Sequence, residues 1–279
     1  MGKSGWSYYN HALIPTCAPD ETPDTSALKN RELWKSFGGT PILARWTTDW
    51  DCGDETDWWY IICTPPFSLS GLSKSSRKNI RKALENCDVR RIDPAAYAEE
   101  LWQVFNEAAQ RYANHEANAD KDRFIAQCRN AAPNMEYWAG FDKNTDRMIG
   151  YKICAVFDHY VGFSVSKYSS GFLKLRVSDA LNYTVIDHYF SRGGIAYISN
   201  GERSIIHKTN VQQYYQEHFG FRKAYCHLNI VYNKGFGFII RLLYPFRRLV
   251  KTDSILTNKI AGVLKMEEIR RNQIKHDVG

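Results

Sequence analysis

The stretch EYWAGFDKNTDRMIGYKICAVFDHYVGFSVSKYSSGFLKLRVSDALNYTVIDHYF, residues 136–190, decides the fold. Its first part predicts three β-strands, because aromatic and β-branched residues are interrupted by turn sequences at DKNTD and near DHY. From Lys167 the pattern changes to a long helix that carries Lys174 and Arg176 in its first turns. Small and hydroxyl residues surround Gly171 just before it. Because the first amides of a helix are unpaired, this basic turn predicts an anion site.

Regular elements flank this stretch on both sides. CDVRRID predicts a strand, PAAYAEELWQVFNEAAQRY a helix that begins near Pro94, and ADKDRFIAQCRNA a second, shorter helix. Beyond residue 190, IAYISNG predicts a strand, VQQYYQEHF a helix and RKAYCHLNIVY a final strand. The predicted order over residues 87–232 is therefore β-α-α-β-β-β-α-β-α-β.

The two ends of the chain differ from this middle part. Residues 1–30 are rich in Pro, Thr and Asp and predict an irregular arm. PILARWTTDW and DWWYIICTPP predict two strands, and SGLSKSSRKNIRKALENC predicts a basic helix capped by Ser73. We expect an N-terminal arm and reduced half-domain over 1–86, a central domain over 87–232, and a C-terminal amphipathic helical extension over 233–279.

Composition restricts the class of protein. The net charge of +7 permits an anionic partner such as a nucleotide, a nucleic acid or a lipid surface. Seven scattered cysteines without a CxxC motif indicate reduced thiols and a cytoplasmic protein. The sequence shows no signal-peptide layout and no apolar run long enough to span a membrane. The spacing of His207, His218 and His227 matches no common metal site, so we predict no metal.

The order of elements, together with NVQQYYQEHFGFRKAYCHLNIVY and its Gly220–Phe221 turn, resembles the GNAT-fold acyl-CoA N-acyltransferases. LSKSSRKNIRKALENCDVRRI resembles the basic helix-to-strand segment of the FemABX-like branch. The resemblance implies an α/β (α+β) fold: a GNAT-like mixed, mostly antiparallel twisted sheet flanked by helices, with a reduced N-terminal half-domain. It also implies a GNAT-type, acetyltransferase-like enzyme that transfers an acyl group from acyl-CoA to an amine by direct attack.

The same resemblance implies where the donor would bind. The strand GFSVSKY, with Phe163 and Val165, would offer backbone hydrogen bonds to the pantetheine arm. The usual loop, Gln/Arg-x-x-Gly-x-Gly/Ala, retains Gly171 here but has Leu173 at its second small position. Asn210 would either bond the cofactor arm or cap the last helix. The residues expected at the pyrophosphate are Ser169, Ser170, Gly171, Phe172 and Lys174, with Arg176 as an alternative source of positive charge.

Four residues are candidates for proton transfer. Tyr215 or Tyr214, with Tyr215 favoured, would protonate the leaving thiolate, although Gln216 occupies the position usual for the family's tyrosine. Glu202 or His207 would accept a proton from the attacking amine. The alternative is that these tyrosines pack in the core and that Glu202 pairs with Arg203 on the surface.

The expected acceptor is a small-molecule or lipid- or sugar-linked amine. Two alternatives remain: a FemABX-like transferase that uses aminoacyl-tRNA, and a non-catalytic GNAT-fold binding protein at a membrane surface. The basic residues between Lys74 and Lys82 either meet a polyanion or form a solvated helix face, and apart from tRNA we expect no nucleic acid. Residues 235–251 either pack on the domain or make peripheral contact with the inner face of a membrane.

Overall fold

A computed structural model describes residues 3–110, 120–205, 210–250 and 255–276. Ten strands and eight α-helices are assigned within these ranges. The strands are β1 Trp6–Tyr9, β2 Ala12–Pro15, β3 Leu43–Thr48, β4 Trp58–Cys63, β5 Cys87–Ile92, β6 Met135–Asp142, β7 Met148–Val156, β8 Tyr160–Tyr168, β9 Tyr197–Glu202 and β10 Arg222–Tyr232. The helices are α1 Arg31–Lys35, α2 Lys74–Asn86, α3 Ala98–Ala109, α4 Lys121–Arg129, α5 Val177–Ser191, α6 Val211–Phe219, α7 Phe236–Leu243 and α8 Ile255–His276.

The chain forms two compact units, each assembled from separate stretches of sequence. The first unit contains Met1–Tyr60, Glu202–Asn210 and Lys223–Gly279. The second contains Ile61–Gly201 and Val211–Arg222. In the part of the chain that the structure describes, no helix is both long enough and apolar enough to cross a membrane.

The second unit is built on the strand order β9-β8-β7-β6-β5. β5 to β8 pair in antiparallel fashion, whereas β8 and β9 run parallel. Helices α3 and α4 cover one face with an apolar core that includes Leu101, Val104 and Ile125. Helix α5 packs closely on the sheet, because a Cβ at Gly140 would lie 2.5 Å from Val177 Cγ2. This close approach fixes the first turn of α5 beside the end of β8.

In the first unit, β10 pairs with β3 in antiparallel register, and β3 pairs in parallel with β2 of the β1–β2 hairpin. Trp6, Leu13 and Trp34 belong to one buried apolar cluster of this unit. The buried carboxylate of Glu267 on α8 accepts hydrogen bonds from Arg270, Arg271 and Tyr232. Together these guanidinium and phenol donors hold the pKa of Glu267 below its ordinary value despite the opposing effect of burial.

The predicted fold class is confirmed: mixed, mostly antiparallel sheet is flanked by helices in the predicted order of elements. Ser73 caps α2 as predicted, since its hydroxyl accepts a hydrogen bond from the amide of Ser76 at 3.2 Å. The prediction of an irregular arm over residues 1–30 was wrong, because residues 6–15 form the β1–β2 hairpin. Two helices begin later than predicted, α3 at Ala98 rather than near Pro94, and α5 at Val177.

The late start of α5 changes the environment of the basic turn. Residues 170–175 form a 3₁₀ helix, and Arg176 then adopts a left-handed conformation with φ 61° before α5 begins. The prediction that Lys174 and Arg176 lie in the first turns of the α-helix was therefore wrong. The α-helix starts later than predicted because the chain is still paired with the sheet at Ser169. The amide of Ser169 donates to the carbonyl of Ile149 at 2.9 Å.

Candidate active site in the second unit

The parallel strands β8 and β9 separate along their length. Their pairing joins Tyr160 to Tyr197, Val161 to Ile198 and Gly162 to Ser199. Beyond this point β8 continues to Tyr168 and is paired with β7 alone among the described strands. A bulge lies where Ile153 and Cys154 face Val165 and Phe163, so that Ser164 is the extra residue. Among the described strands, none pairs with this side of β8 from Phe163 onward, and we call it the open edge of β8.

A cleft of about 270 Å³ lies along this open edge. β8, α5 and α6 contribute its walls, and Asn200 of β9 also lines it. The cleft brings together four predicted site residues with several polar residues that were not predicted. The lining includes Phe163, Val165, Ser166, Asn182, Tyr214 and Tyr215.

A buried lysine on β7 reaches the inner wall of this cleft. Lys152 donates hydrogen bonds to the hydroxyl of Ser166 at 2.8 Å and to the hydroxyl of Tyr215 at 2.9 Å. Tyr215 in turn donates to Asn182 Oδ1 at 2.9 Å. Asn182 Nδ2 is buried and has no hydrogen-bond partner within the described ranges. We call Lys152, Ser166, Asn182 and Tyr215 the lysine cluster.

Electrostatics make this lysine unusual. Lys152 has no exposed surface, and burial lowers its pKa from 10.5 to about 8. The pKa falls because the interior disfavours the ammonium form and no carboxylate is among the groups that offset burial. The ammonium lies 3.8 Å from the ring centroid of Phe163, which supplies a cation–π contact. Lys152 therefore loses its proton at a lower pH than an ordinary lysine does.

The two neighbouring tyrosines of α6 have different partners. Burial raises the pKa of Tyr215 well above 10, so its hydroxyl stays protonated at neutral pH. Tyr214 donates to the buried carboxylate of Asp179 on α5, which also pairs with the guanidinium of Arg176 at 3.3 Å. Burial, and next the charge of Asp179, raise the pKa of Tyr214. Tyr214 is thus held by a carboxylate, whereas Tyr215 belongs to the lysine cluster.

Glu107 of α3 holds the expected pyrophosphate loop. Its carboxylate accepts a hydrogen bond from Ser169 Oγ, its carbonyl accepts one from Ser170 Oγ at 3.3 Å, and its side chain pairs with Arg147. The serine hydroxyls therefore bind α3 and do not cap α5.

The remaining loop residues lie at the surface or beside Arg147. The guanidinium of Arg147 lies 4.9 Å from the ring centroid of Phe172. Lys174 is exposed, and a Cβ placed on Gly171 would meet nothing within 4 Å. The surrounding described residues therefore leave room for a side chain at position 171. The expected binding of phosphate by this loop remains a prediction.

Of the two predicted bases, Glu202 belongs to the first unit and His207 is not described. Glu202, in the first unit, pairs with the buried guanidinium of Arg45 and accepts a hydrogen bond from Tyr60 at 3.2 Å. It therefore does not pair with Arg203 as the surface alternative predicted, since Arg203 bonds Asp57. Asn210, exposed just before α6, also belongs to the first unit. His207 lies outside the described residues.

No group of three or more potential metal ligands lies together within the described ranges. The sequence interpretation missed Lys152, Asn182, Asp179 and Glu107. Lys152 did carry a signal, as the lone charged residue within the strand MIGYKICAV.

Comparisons with other proteins address the fold. No protein-family model and no curated protein matches the sequence. Among solved structures, the chain is similar to FemX, with a TM-score of 0.50 and 8% identity over 67% of this chain and 63% of FemX. It thus spans less than two thirds of FemX.

Two further similar structures are lysylphosphatidylglycerol synthetases. The C-terminal domain of a putative one from Agrobacterium fabrum has a TM-score of 0.50 and 9% identity, over 85% of this chain and 82% of that one. L-PGS from Bacillus licheniformis has a TM-score of 0.50 and 11% identity, over 87% and 84%. At these identities the similarity concerns the fold alone, which is GNAT-like.

Proposed function

We propose that this chain is an acyltransferase that moves an acyl group from acyl-CoA to an amine by direct attack in the β8 cleft. The observation that carries the proposal is the separation of parallel β8 and β9, with Tyr215 among the residues that line the resulting cleft. The open edge of β8 presents backbone donors and acceptors to an extended ligand such as the pantetheine arm. Phe163 and Val165 lie on this edge.

The lysine cluster provides the proton that the reaction requires. The amine attacks the thioester carbonyl, the carbon–sulfur bond breaks, and the thiolate takes the proton of Tyr215. Lys152 then returns a proton to Tyr215 through their 2.9 Å hydrogen bond. The proton released by the attacking amine restores the ammonium of Lys152 through solvent, so that the cycle balances. The free Nδ2 of Asn182 would donate to the acyl oxygen as charge develops on it.

This role of Tyr215 agrees with its partners, and Tyr214 is the weaker candidate. A proton held between Tyr214 and the Asp179 carboxylate is less available to a thiolate, because the carboxylate accepts it strongly. Glu202 is a weak candidate for the base, since Arg45 and Tyr60 already occupy its carboxylate. Positioning of the amine against the thioester would supply much of the rate.

The direct test is release of free thiol from acetyl-CoA in the presence of a panel of primary amines. The panel includes amino acids, amino sugars and aminophospholipids, which cover small-molecule, sugar-linked and lipid-linked acceptors. We expect amine-dependent thiol release that is lost when Ser164, an exposed lining residue, is replaced in Ser164→Trp. Thiol release at the same rate in Ser164→Trp would place the reaction elsewhere and contradict the proposal.

A second candidate is a FemABX-like transferase that takes its acyl group from aminoacyl-tRNA. The observation that favours it is the outer face of α2, where four exposed bases have no acidic partner in the described ranges: Lys74, Lys78, Arg81 and Lys82. Helix α2 packs against the 3₁₀ turn at residues 170–175, which is the loop expected at the donor's pyrophosphate. The similarity in fold to lysylphosphatidylglycerol synthetases supports aminoacyl transfer.

Salt dependence distinguishes the two donors. If the four bases each contact a phosphate, tRNA affinity falls roughly a hundredfold between about 50 and 200 mM salt. Lys78→Gln combined with Arg81→Gln would weaken tRNA binding and reduce this dependence. Acetyl-CoA binding without tRNA retention would favour acyl-CoA, and the reverse result would favour tRNA.

In either case all seven cysteines are free thiols, which agrees with a cytoplasmic location.

A further inference from the structure

An apolar ridge covers α7 and the 3₁₀ turn that follows it, Tyr244–Leu249, in the first unit. Ten large hydrophobic residues are exposed in the described part of the chain, and six of them fall within these fourteen residues. Such clustering is unlike the single exposed hydrophobics that any protein surface carries. The six are Phe238, Ile239, Leu242, Leu243, Phe246 and Leu249.

The spacing of these residues places them on one face. The steps from Phe238 to Leu242 and from Ile239 to Leu243 are four residues, the distance between neighbours on an α-helix surface. The step from Phe246 to Leu249 is three, which aligns side chains in a 3₁₀ helix. Ile240 is buried and provides the helix's contact with its own unit. The exposed residues therefore form a continuous ridge. They do not pack against the domain, which was one of the two alternatives for residues 235–251.

Contacts to α8 hold the ridge in place. Arg247 bonds Glu268 at 2.9 Å, and its guanidinium lies 4.3 Å from the ring centroid of Tyr244. The guanidinium of Arg271 lies 4.0 Å from the same ring. The ridge is thus anchored on its inner side by polar contacts, while its outer side is apolar.

Positive charge flanks the ridge. Arg241 and Arg248 are exposed and have no acidic partner within the described ranges. The sequence from residue 218 to residue 252 contains seven lysines and arginines and no aspartate or glutamate. A protein partner can present either sign of charge, but an apolar ridge flanked by Arg241 and Arg248, neither of which has an acidic partner within the described ranges, matches a surface that is apolar within and anionic at its rim.

We infer that this ridge inserts into the interfacial region of a bilayer that contains anionic lipid. The phenylalanines and leucines enter the boundary between headgroups and acyl chains, and Arg241 and Arg248 bind the phosphates above them. No helix of the described chain can span a membrane, so the contact is peripheral. This inference does not depend on the proposed acyl transfer.

Vesicle flotation of the full chain tests the inference. We expect binding to vesicles of phosphatidylglycerol with phosphatidylcholine and little binding to phosphatidylcholine alone. Arg241→Gln with Arg248→Gln should weaken binding roughly thirtyfold, at about fivefold for each arginine. The double variant Leu242→Ser with Phe246→Ser should abolish flotation, because the two substitutions remove side chains that insert into the bilayer.

Matched controls separate the ridge from the overall charge. Lys29→Gln with Arg31→Gln removes two exposed bases of the same unit and should leave flotation intact, as should Tyr9→Ser, which removes an exposed aromatic residue elsewhere. Unchanged melting temperatures would show that the ridge variants are folded.

Three results would overturn the inference. One is the absence of flotation with anionic vesicles. Another is flotation that the ridge substitutions leave intact. The third is a wild-type dimer that dissociates in Leu242→Ser with Phe246→Ser and does not bind vesicles, since the ridge would then join two copies of the chain.

Discussion

The lysine cluster of the second unit and the apolar ridge of the first break the usual rule of burial in opposite directions. In the cluster, an amine, a phenol, an amide and a hydroxyl lie inside the protein, and Lys152 is fully buried. On the ridge, side chains that normally form a core face solvent, with Leu249 75% exposed. Most polar groups lie outside and most large apolar groups inside, so each region departs from what stability alone favours.

The two departures point to different kinds of function. Burying an amine costs free energy, and the cost here appears as a lowered pKa, which is a property that proton transfer uses. Exposing leucine and phenylalanine forgoes burial, and what remains is a surface that binds another apolar phase. Chemistry is therefore expected at the first region and attachment at the second. The predictions below test this contrast.

The largest effect is expected in Tyr215→Phe. Loss of the acid should slow thiol release from acetyl-CoA by about a hundredfold or more, with little change in acetyl-CoA affinity. Stopped-flow detection of thiol under saturating acetyl-CoA measures it. The neighbouring substitution Tyr214→Phe is the control and should keep most of the activity, because Tyr214 donates to Asp179. Equal losses in the two variants would mean that Tyr215 has no special role.

The second effect concerns pH and Lys152. Its pKa is about 8 when folded and 10.5 in the ordinary case, so between these values the unfolded chain holds a proton that the folded chain lacks. Stability therefore rises with pH across this window, by about 3 kcal/mol in all. The cost of burial is fully present below pH 8 and disappears above 10.5.

Denaturant unfolding at pH 8 and pH 10 checks this, with Lys152→Met as the matched variant. The wild type should gain stability relative to Lys152→Met over this interval. A constant difference between the two proteins would show that the lysine titrates normally.

A smaller effect is expected for Asp179→Asn. The substitution replaces a charged acceptor of the Tyr214 hydroxyl and removes the ion pair with Arg176. We expect a loss of about 1–3 kcal/mol in the free energy of unfolding, measured by urea denaturation. No loss of stability would indicate that the contact between Tyr214 and Asp179 is incidental.

The smallest effect is expected on the stability of the ridge variants. Leu242→Ser with Phe246→Ser should alter the free energy of unfolding by about 0.5 kcal/mol or less, because exposed side chains contribute little to folding. Thermal unfolding without lipid measures this. A loss of several kcal/mol would show that the ridge packs against the protein and would remove its contrast with the cluster.

Much of the fold could be predicted because periodicity is a local property. The three strands and the helix of residues 136–190 follow patterns that backbone geometry imposes on short windows. The β1–β2 hairpin was missed because its turn has Asn10 and His11 at φ 46° and 65°. Asn–His is not among the residue pairs that favour such a turn. The start of α5 was missed for a similar reason, because Arg176 adopts a left-handed conformation there.

The site could be predicted only in part, because it depends on contacts between distant residues. Tyr215 and Phe163 were found through their positions in the order of elements. Lys152 was not, since a lone lysine in an otherwise apolar strand does not reveal which way its side chain faces, and only packing shows that this face is covered. Asn182 lies 33 residues from its partner Tyr215, a separation that periodicity does not link.

The most direct test of the account is a calorimetric titration of acetyl-CoA into the wild type and into Ser164→Trp. The exposed Ser164 is the bulged residue of β8 at the cleft, so a tryptophan there fills the cleft without entering the core. We predict that the wild type binds and that the variant, with an unchanged melting temperature, binds at least about tenfold more weakly, a change of about 1.4 kcal/mol. Equal affinities, or no binding by the wild type at millimolar acetyl-CoA, would contradict the claim that the β8 cleft is an acyl-CoA site.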